Sequence, residues 1–297
     1  GTNRMEETRS EGPQSPASSE AHTLLAAAAN LLAAVRARRP LVHAMTNDVV
    51  KGRTADGLLA LGASPIMAEA SEEVEEVAAK ADSLLLNLGT LSSELVASML
   101  RAGRAARAAQ RPVVLDPVGA GFTEFRNRTA AELVRELRPD VVRGNAAEIA
   151  FLAGISLPQK GVDAGEAPRE VVAQAALTLA RETGGVVLAT GAWDVLADAS
   201  GRTAYVGGGD ALLTRFTGSG CLLGAVVASF AAVGEDAFIA AFAASLTAKV
   251  AGELARIRLG AGERPATFAT HFLDALAEVE GADLLRFGKV ELSAREA

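Results

Sequence analysis

With 297 residues, 49% of them hydrophobic and only 4% aromatic, the chain can bury roughly 73% of its surface around a core of Ala, Val and Leu, which excludes intrinsic disorder for the bulk. Twenty-nine Lys and Arg against 36 Asp and Glu give a net charge of -7; no basic stripe is present to displace counterions from a phosphate backbone, so nucleic acid is not expected as a partner. The single cysteine, Cys221, requires no oxidising compartment, which makes the cytoplasm the expected location.

Residues 1–20 mix Arg4 and Arg9 with Glu6, Glu7 and Glu11 and contain Pro13 and Pro16. They lack the basic start and apolar centre of a secretory signal and read as a disordered tail ahead of one domain over 21–297. From Leu24 an Ala/Leu-rich run ends at Arg36, Arg38, Arg39 and Pro40, the stop signals of a first helix. Brief apolar runs follow at 41–44, 65–68, 83–88, 112–115, 141–142 and 186–189. Apolar on both sides, they read as strands of a parallel sheet covered on both faces. Helices alternate with them. One begins at Ser71 with Glu72 and Glu73 in its first turn, and another carries Leu133, Val134 and Leu137 until Pro139 stops it. Residues 161–168 read as a surface loop. Residues 195–205 read as strands joined by a turn at Ser200-Gly201, and three successive helices are expected over 219–233, 236–257 and 267–279. The fold class is α/β with a mostly parallel sheet. The most apolar stretch, 221–233, is shorter than the roughly 20 residues of a membrane span, so no membrane partner is expected.

In such sheets ligands bind beyond the carboxyl ends of the strands, and three segments there carry chemistry. In Leu115-Asp116-Pro117-Val118-Gly119-Ala120-Gly121 a carboxylate leaves a strand. It either caps the local turn or faces a metal or phosphate. In Arg143-Gly144-Asn145-Ala146-Ala147-Glu148 the spacing fits a capping box; alternatively Arg143 meets a phosphate and Glu148 joins Asp116 on magnesium. The third is the strongest. Gly218, Ser219, Gly220 and Cys221 open the most apolar helix. Small residues at a helix start expose backbone N–H groups to an anion, as phosphoryl transfer requires. The helix field there is expected to lower the Cys221 thiol pKa, although the cysteine could equally be a small buried hydrophobe. No Walker A pattern occurs, which excludes P-loop chemistry. Thr190 ends another strand, within reach of a nucleotide phosphate. His22, His43 and His271 have no ligand spacing and suggest no zinc site.

Together with residues 40–70 (PLVHAMTNDVVKGRTADGLLALGASPIMAEA), the segments LDPVGAG at 115, RGNAAEI at 143, KGVDAGE at 160 and LLTRFTGSGCLLGAVVA at 212 resemble the hydroxyethylthiazole kinase family, in order, from about residue 24 to 280. The resemblance implies a ribokinase-like three-layer fold. It also implies transfer of the ATP γ-phosphate to the primary hydroxyl of 4-methyl-5-(2-hydroxyethyl)thiazole in thiamine salvage, with magnesium, in a homotrimer whose thiazole sites lie between subunits. It places Met67, Gly218 and Asn47 at the thiazole, Arg143 and Thr190 at ATP, and Asp116 and Glu148 in support of magnesium. Gly218, Ser219 and Gly220 are then expected to form the catalytic anion hole, and the resemblance implies that Cys221 accepts or orients the alcohol proton. The alternatives are a ribokinase-like kinase of another small alcohol, such as a hydroxymethylpyrimidine, a related repair dehydratase, or a module that binds nucleotide without turnover. Asp116, Glu148 and Gly218-Ser219-Gly220-Cys221 favour turnover. The chain departs from the usual family pattern at Lys51, Arg53, Asp56 and Asp210.

Overall fold

Nine short strands pair into a single sheet in the computed structural model, which describes residues 16–157 and 167–293. β1 (Leu41–Met45), β2 (Ser64–Ile66), β3 (Ser83–Asn87), β4 (Val113–Asp116), β5 (Val141–Asn145) and β6 (Val186–Thr190) run parallel. β7 (Asp194–Asp198), β8 (Thr203–Gly207) and β9 (Lys289–Leu292) continue the sheet antiparallel. The order is β2-β1-β3-β4-β5-β6-β7-β8-β9.

Eleven helices are described: α1 (Pro16–Arg38), α2 (Lys51–Leu61), α3 (Val74–Lys80), α4 (Ser93–Ala108), α5 (Glu124–Leu137), α6 (Ala146–Ala153), α7 (Arg169–Thr183), α8 (Ser219–Val233), α9 (Ala237–Leu259), α10 (Pro265–Glu278) and α11 (Gly281–Phe287). They sort to the two faces because successive strand side chains point opposite ways. Leu85, Val114 and Leu188 enter one core with α1, α2 and α8–α11. Their neighbours Leu84, Leu86, Val113, Leu115, Val187 and Ala189 enter the other, with α3–α7. Strands apolar on both faces thus build a three-layer arrangement, with helices covering the sheet on each side.

Some boundaries differ from the sequence reading. α1 begins at Pro16, so the last five residues of the expected tail are helical. α3 begins at Val74 after a turn over 71–73, and the carboxylates of its first turn are Glu75 and Glu76. The chain leaves β2 at Ile66, before Met67 and Ala68. β5 runs on to Asn145 because its ladder with β6 extends to the Asn145–Thr190 pair. Segment KGVDAGE, at 160–166, lies outside the described residues. The longest apolar helix is α9, which has the length and hydropathy of a membrane span, but 67% of its apolar window is buried in the protein; packed between α1, α8, α10 and the sheet, it is a core helix.

The parallel register has a functional consequence. It sets Asn87 opposite Asp116 and Asn145 opposite Thr190, so polar residues that end apolar strands gather along one rim of the sheet.

Candidate active site

Asp116 is fully buried at the end of β4. Its carboxylate caps no turn amide. Oδ1 accepts from Arg143 Nη2 at 2.7 Å and Oδ2 from Asn87 Nδ2 at 3.0 Å. Burial pushes its pKa up to about 6, against the pull of Arg143; Glu148 adds to the rise and Asn87 opposes it. Burial also works against the Arg143 charge, and the adjacent Asp116 carboxylate outweighs it, so the guanidinium holds its proton more tightly than usual.

Glu148 fulfils the capping box and does more. Asn145 Oδ1 accepts from the Glu148 amide and Glu148 Oε1 from the Asn145 amide, both at 2.8 Å. Glu148 Oε2 accepts from the Gly119 amide at 2.7 Å, tying α6 to the loop after Asp116. Gly119 makes that approach at φ +79°, a conformation other residues rarely adopt. Among the described residues no group of three or more His, Cys, Asp or Glu is arranged to hold a metal. His43 is buried in β1, its Nε2 2.8 Å from the Ala68 carbonyl, a structural role.

The start of α8 has the form the sequence implied. Gly218 caps the helix at φ +97°, and the first hydrogen-bonded amide is Leu222, which donates to the Gly218 carbonyl at 2.7 Å. Among the described residues, the amides of Ser219, Gly220 and Cys221 meet no protein acceptor, as expected for a first helical turn. Arg143 lies against them: a Cβ on Gly220 would stand 2.7 Å from its Nη1. The Ser219 hydroxyl donates to the Leu213 carbonyl, fixing the approach to the turn. The Cys221 sulfur accepts from Asn47 Nδ2 at 3.5 Å. One expectation is corrected here. Burial, reinforced by the Asp116 charge, pushes the Cys221 thiol pKa up; Asn87, Arg143 and Asn47 oppose this without reversing it.

A cavity of about 570 Å³ opens beside this turn, lined by Arg143, Thr190, Gly209, Gly220, Lys249 and Phe272 among others. Thr190 Oγ1 lies 3.4 Å from Arg143 Nη1, so the two residues expected at ATP share one wall. Asn47 lies at the thiol instead, and Met67 packs, half-buried, against the core that α1, α2 and α8–α11 share. The sequence reading missed two residues. Asn87 is a polar terminus on an apolar strand, the same signal that marked Asp116. Lys249, a cation within an Ala-rich run, donates from α9 to the carbonyls of Gly191 (2.7 Å) and Ala192 (3.2 Å) and stands 3.5 Å from buried Asp194.

The unusual charges mostly find partners within the chain. Lys51 pairs with Asp48 at 2.8 Å and Glu69 at 2.6 Å. Arg53 stacks over Phe216 at 5.2 Å, Asp210 pairs with Arg256 at 2.7 Å, and Asp56 is exposed.

A sequence model described as the hydroxyethylthiazole kinase family matches residues 32–281. The chain belongs to that family. It is an ATP-dependent small-molecule kinase. A hydroxyethylthiazole kinase of Listeria monocytogenes is 50% identical over 245 residues, 82% of this chain and 89% of that protein. One of Moorella thermoacetica is 45% identical over 258 residues, 87% and 95% of the two chains. The solved hydroxyethylthiazole kinase structure from Pyrococcus horikoshii is 38% identical and superposes with a TM-score of 0.82 over 90% of this chain and 99% of its own. A ribokinase-like superfamily protein of Enterococcus faecalis, 14% identical with a TM-score of 0.53 over 81% and 87% of the two chains, shares the fold.

Proposed function

We propose that this kinase transfers the ATP γ-phosphate to the primary hydroxyl of 4-methyl-5-(2-hydroxyethyl)thiazole in thiamine salvage. One observation carries the reading: the three unpartnered amides at the start of α8 share a helical turn with Cys221 and lie against Arg143. A phosphoryl group in flight spreads negative charge over its oxygens, and preorganised donors stabilise that charge without reorganising.

In this reading ATP occupies the 570 Å³ cavity with its phosphates toward Gly220. Arg143 and Thr190 hold the phosphates. Arg143 pairs with Asp116 through Nη2, which leaves Nη1, beside Thr190 and Gly220, to face them. Met67, Gly218 and Asn47 border the thiazole, and the acceptor hydroxyl meets Cys221. A thiol that burial keeps protonated is a weak base, so Cys221 orients the hydroxyl more than it deprotonates it. That is sufficient for a loose transition state, where alignment and charge stabilisation dominate.

The carboxylate pair fits magnesium, which takes few protein ligands and keeps several waters. Glu148 is close enough to act on the charge of Asp116, and each carboxylate oxygen retains a lone pair beyond its present partner. They would hold the ion through its waters, and it would supply neutralisation of phosphate charge. Exposed Val49 (68%) and Leu59 (60%), bracketing most of α2, support burial of this end of the site between subunits of a homotrimer. The lone cysteine is in keeping with the cytoplasm.

The test is coupled ADP release by the purified protein with magnesium-ATP and hydroxyethylthiazole. The expected result is turnover dependent on the thiazole; ADP release no faster than the thiazole-free background refutes the proposal.

A further inference from the structure

Residues of β3, β4 and β5, Asn47 just beyond β1 and the α8 turn are joined by one chain of hydrogen bonds, buried except at its Cys221 end. From Arg143 it passes to Asp116, then to Asn87, whose Nδ2 donates to Asp116 Oδ2 at 3.0 Å. Asn87 Oδ1 accepts from Asn47 Nδ2 at 2.9 Å, and the same nitrogen reaches the Cys221 sulfur at 3.5 Å. The direction of the chain is fixed. An ionised carboxylate only accepts, so Asn87 must turn its NH₂ toward Asp116. Its oxygen is also held by the Gly89 amide at 3.0 Å, and that of Asn47 by the Val49 amide at 3.2 Å. Neither side chain can flip without breaking three bonds. A methyl at Gly89 would fall 2.3 Å from Asn47 Nδ2, so the packing around the pair has no slack.

The geometry points to Asn87 as a positioning residue for the acceptor end of the reaction: by linking Asp116 to Asn47 it fixes the amide that holds the Cys221 sulfur. With its lone pair held by Asn47, the sulfur has its own hydrogen left to engage the alcohol. This inference rests on the reading that Cys221 faces the acceptor hydroxyl.

Cys221 is the sole cysteine, so iodoacetamide alkylation of the nucleotide-free protein reports its state without any turnover and separates this inference from the kinase assignment. Asn87→Leu, close in size to the wild type, should slow alkylation at pH 8 about fivefold, the loss of one modest hydrogen bond to the thiolate. kcat should fall by a similar factor with the KM for ATP within twofold. Asn47→Leu should give the same loss, and the double variant should lose no more than either single one. An alkylation rate within twofold of wild type in folded Asn87→Leu, or a double variant whose loss is the product of the single losses, overturns the inference. So does a rise in the KM for ATP with kcat unchanged. If Asn87→Leu does not fold, Asn87→Asp keeps the shape while setting a carboxylate beside Asp116; it should alkylate more slowly still, and an unchanged rate has the same overturning force.

Discussion

Substituting Gly220 tests whether the backbone amides or the thiol carry the rate. A Cβ at this position would stand 2.7 Å from Arg143 Nη1. That guanidinium has little freedom to yield, since its side chain is 7% exposed and Nη2 is held 2.7 Å from Asp116. Gly220→Ala therefore displaces Arg143, which the proposed function turns toward the phosphates, and sets a methyl among the three free amides. Loss of one preorganised donor costs about 10² to 10³ in kcat, and the displaced arginine places this variant toward the upper end. Cys221→Ala removes a thiol that burial keeps protonated. A well-matched general base is worth about 10² to 10⁴, and a poorly matched one in a loose transition state less, so about tenfold is expected. The assay is ADP release at saturating ATP and thiazole, with thermal melting to establish that both variants are folded. A larger loss for Cys221→Ala than for Gly220→Ala refutes the argument, because the thiol would then be the stronger contributor.

Alkylation of wild-type Cys221 against pH should reach half its maximal rate only above the ordinary thiol value of about 8.5; a midpoint below that value contradicts the dominance of burial over the helix field. Lys249→Met removes the cation beside Asp194, whose pKa burial already raises. Leaving that carboxylate unpaired should cost about 3 to 5 kcal/mol in urea unfolding at pH 7.5. The sign with pH follows from linkage. The folded state binds the Asp194 proton more tightly than the unfolded chain, so the deficit should shrink as pH falls toward 5, and a deficit that grows in acid counts against the assignment. Chelation of divalent cations should abolish thiazole-dependent ADP release, and Asp116→Asn should raise the magnesium concentration needed for half-maximal rate; equal magnesium curves for variant and wild type would remove Asp116 from that role.

Much of the site was legible in the sequence because its residues interrupt strong local patterns. Asp116 and Thr190 end apolar strands, and Gly218 to Cys221 open a helix with small residues where a cap is expected. These are local signals, and the parallel register converts them into neighbours. What local reading could not supply was contact. Asp116 might have capped its own turn, and only the position of β5 beside β4 brings Arg143 to it instead. Glu148 shows the two readings to be compatible, since one oxygen completes the capping box and the other reaches Gly119. The thiol pKa was misjudged for the same reason: the helix field is written in the sequence, whereas the burial that outweighs it depends on which elements close over Cys221. Asn87 was read only as part of an apolar strand, although its polarity at the strand terminus was available.

The charges at the rim explain why the Asp116–Arg143 pair sits where the nucleotide would arrive. Asp116 and Glu148 contribute two formal negative charges against the one positive charge of Arg143, an unfavourable starting point for binding a polyphosphate. Removing Asp116 would not repair this, because Arg143 is itself buried and an isolated buried cation is costly. Pairing at 2.7 Å resolves the conflict by holding Arg143 in one orientation, with Nη1 against Gly220 and Nε still unpartnered. The arginine is thereby aimed before any ligand is present, and its orientation need not be fixed again during the reaction. On the proposed function, the surplus negative charge of the carboxylates would favour nucleotide that arrives with a divalent cation over bare nucleotide. A buried ion pair is weak evidence of stabilisation; at this rim its value is to hold one arginine still beside three free amides.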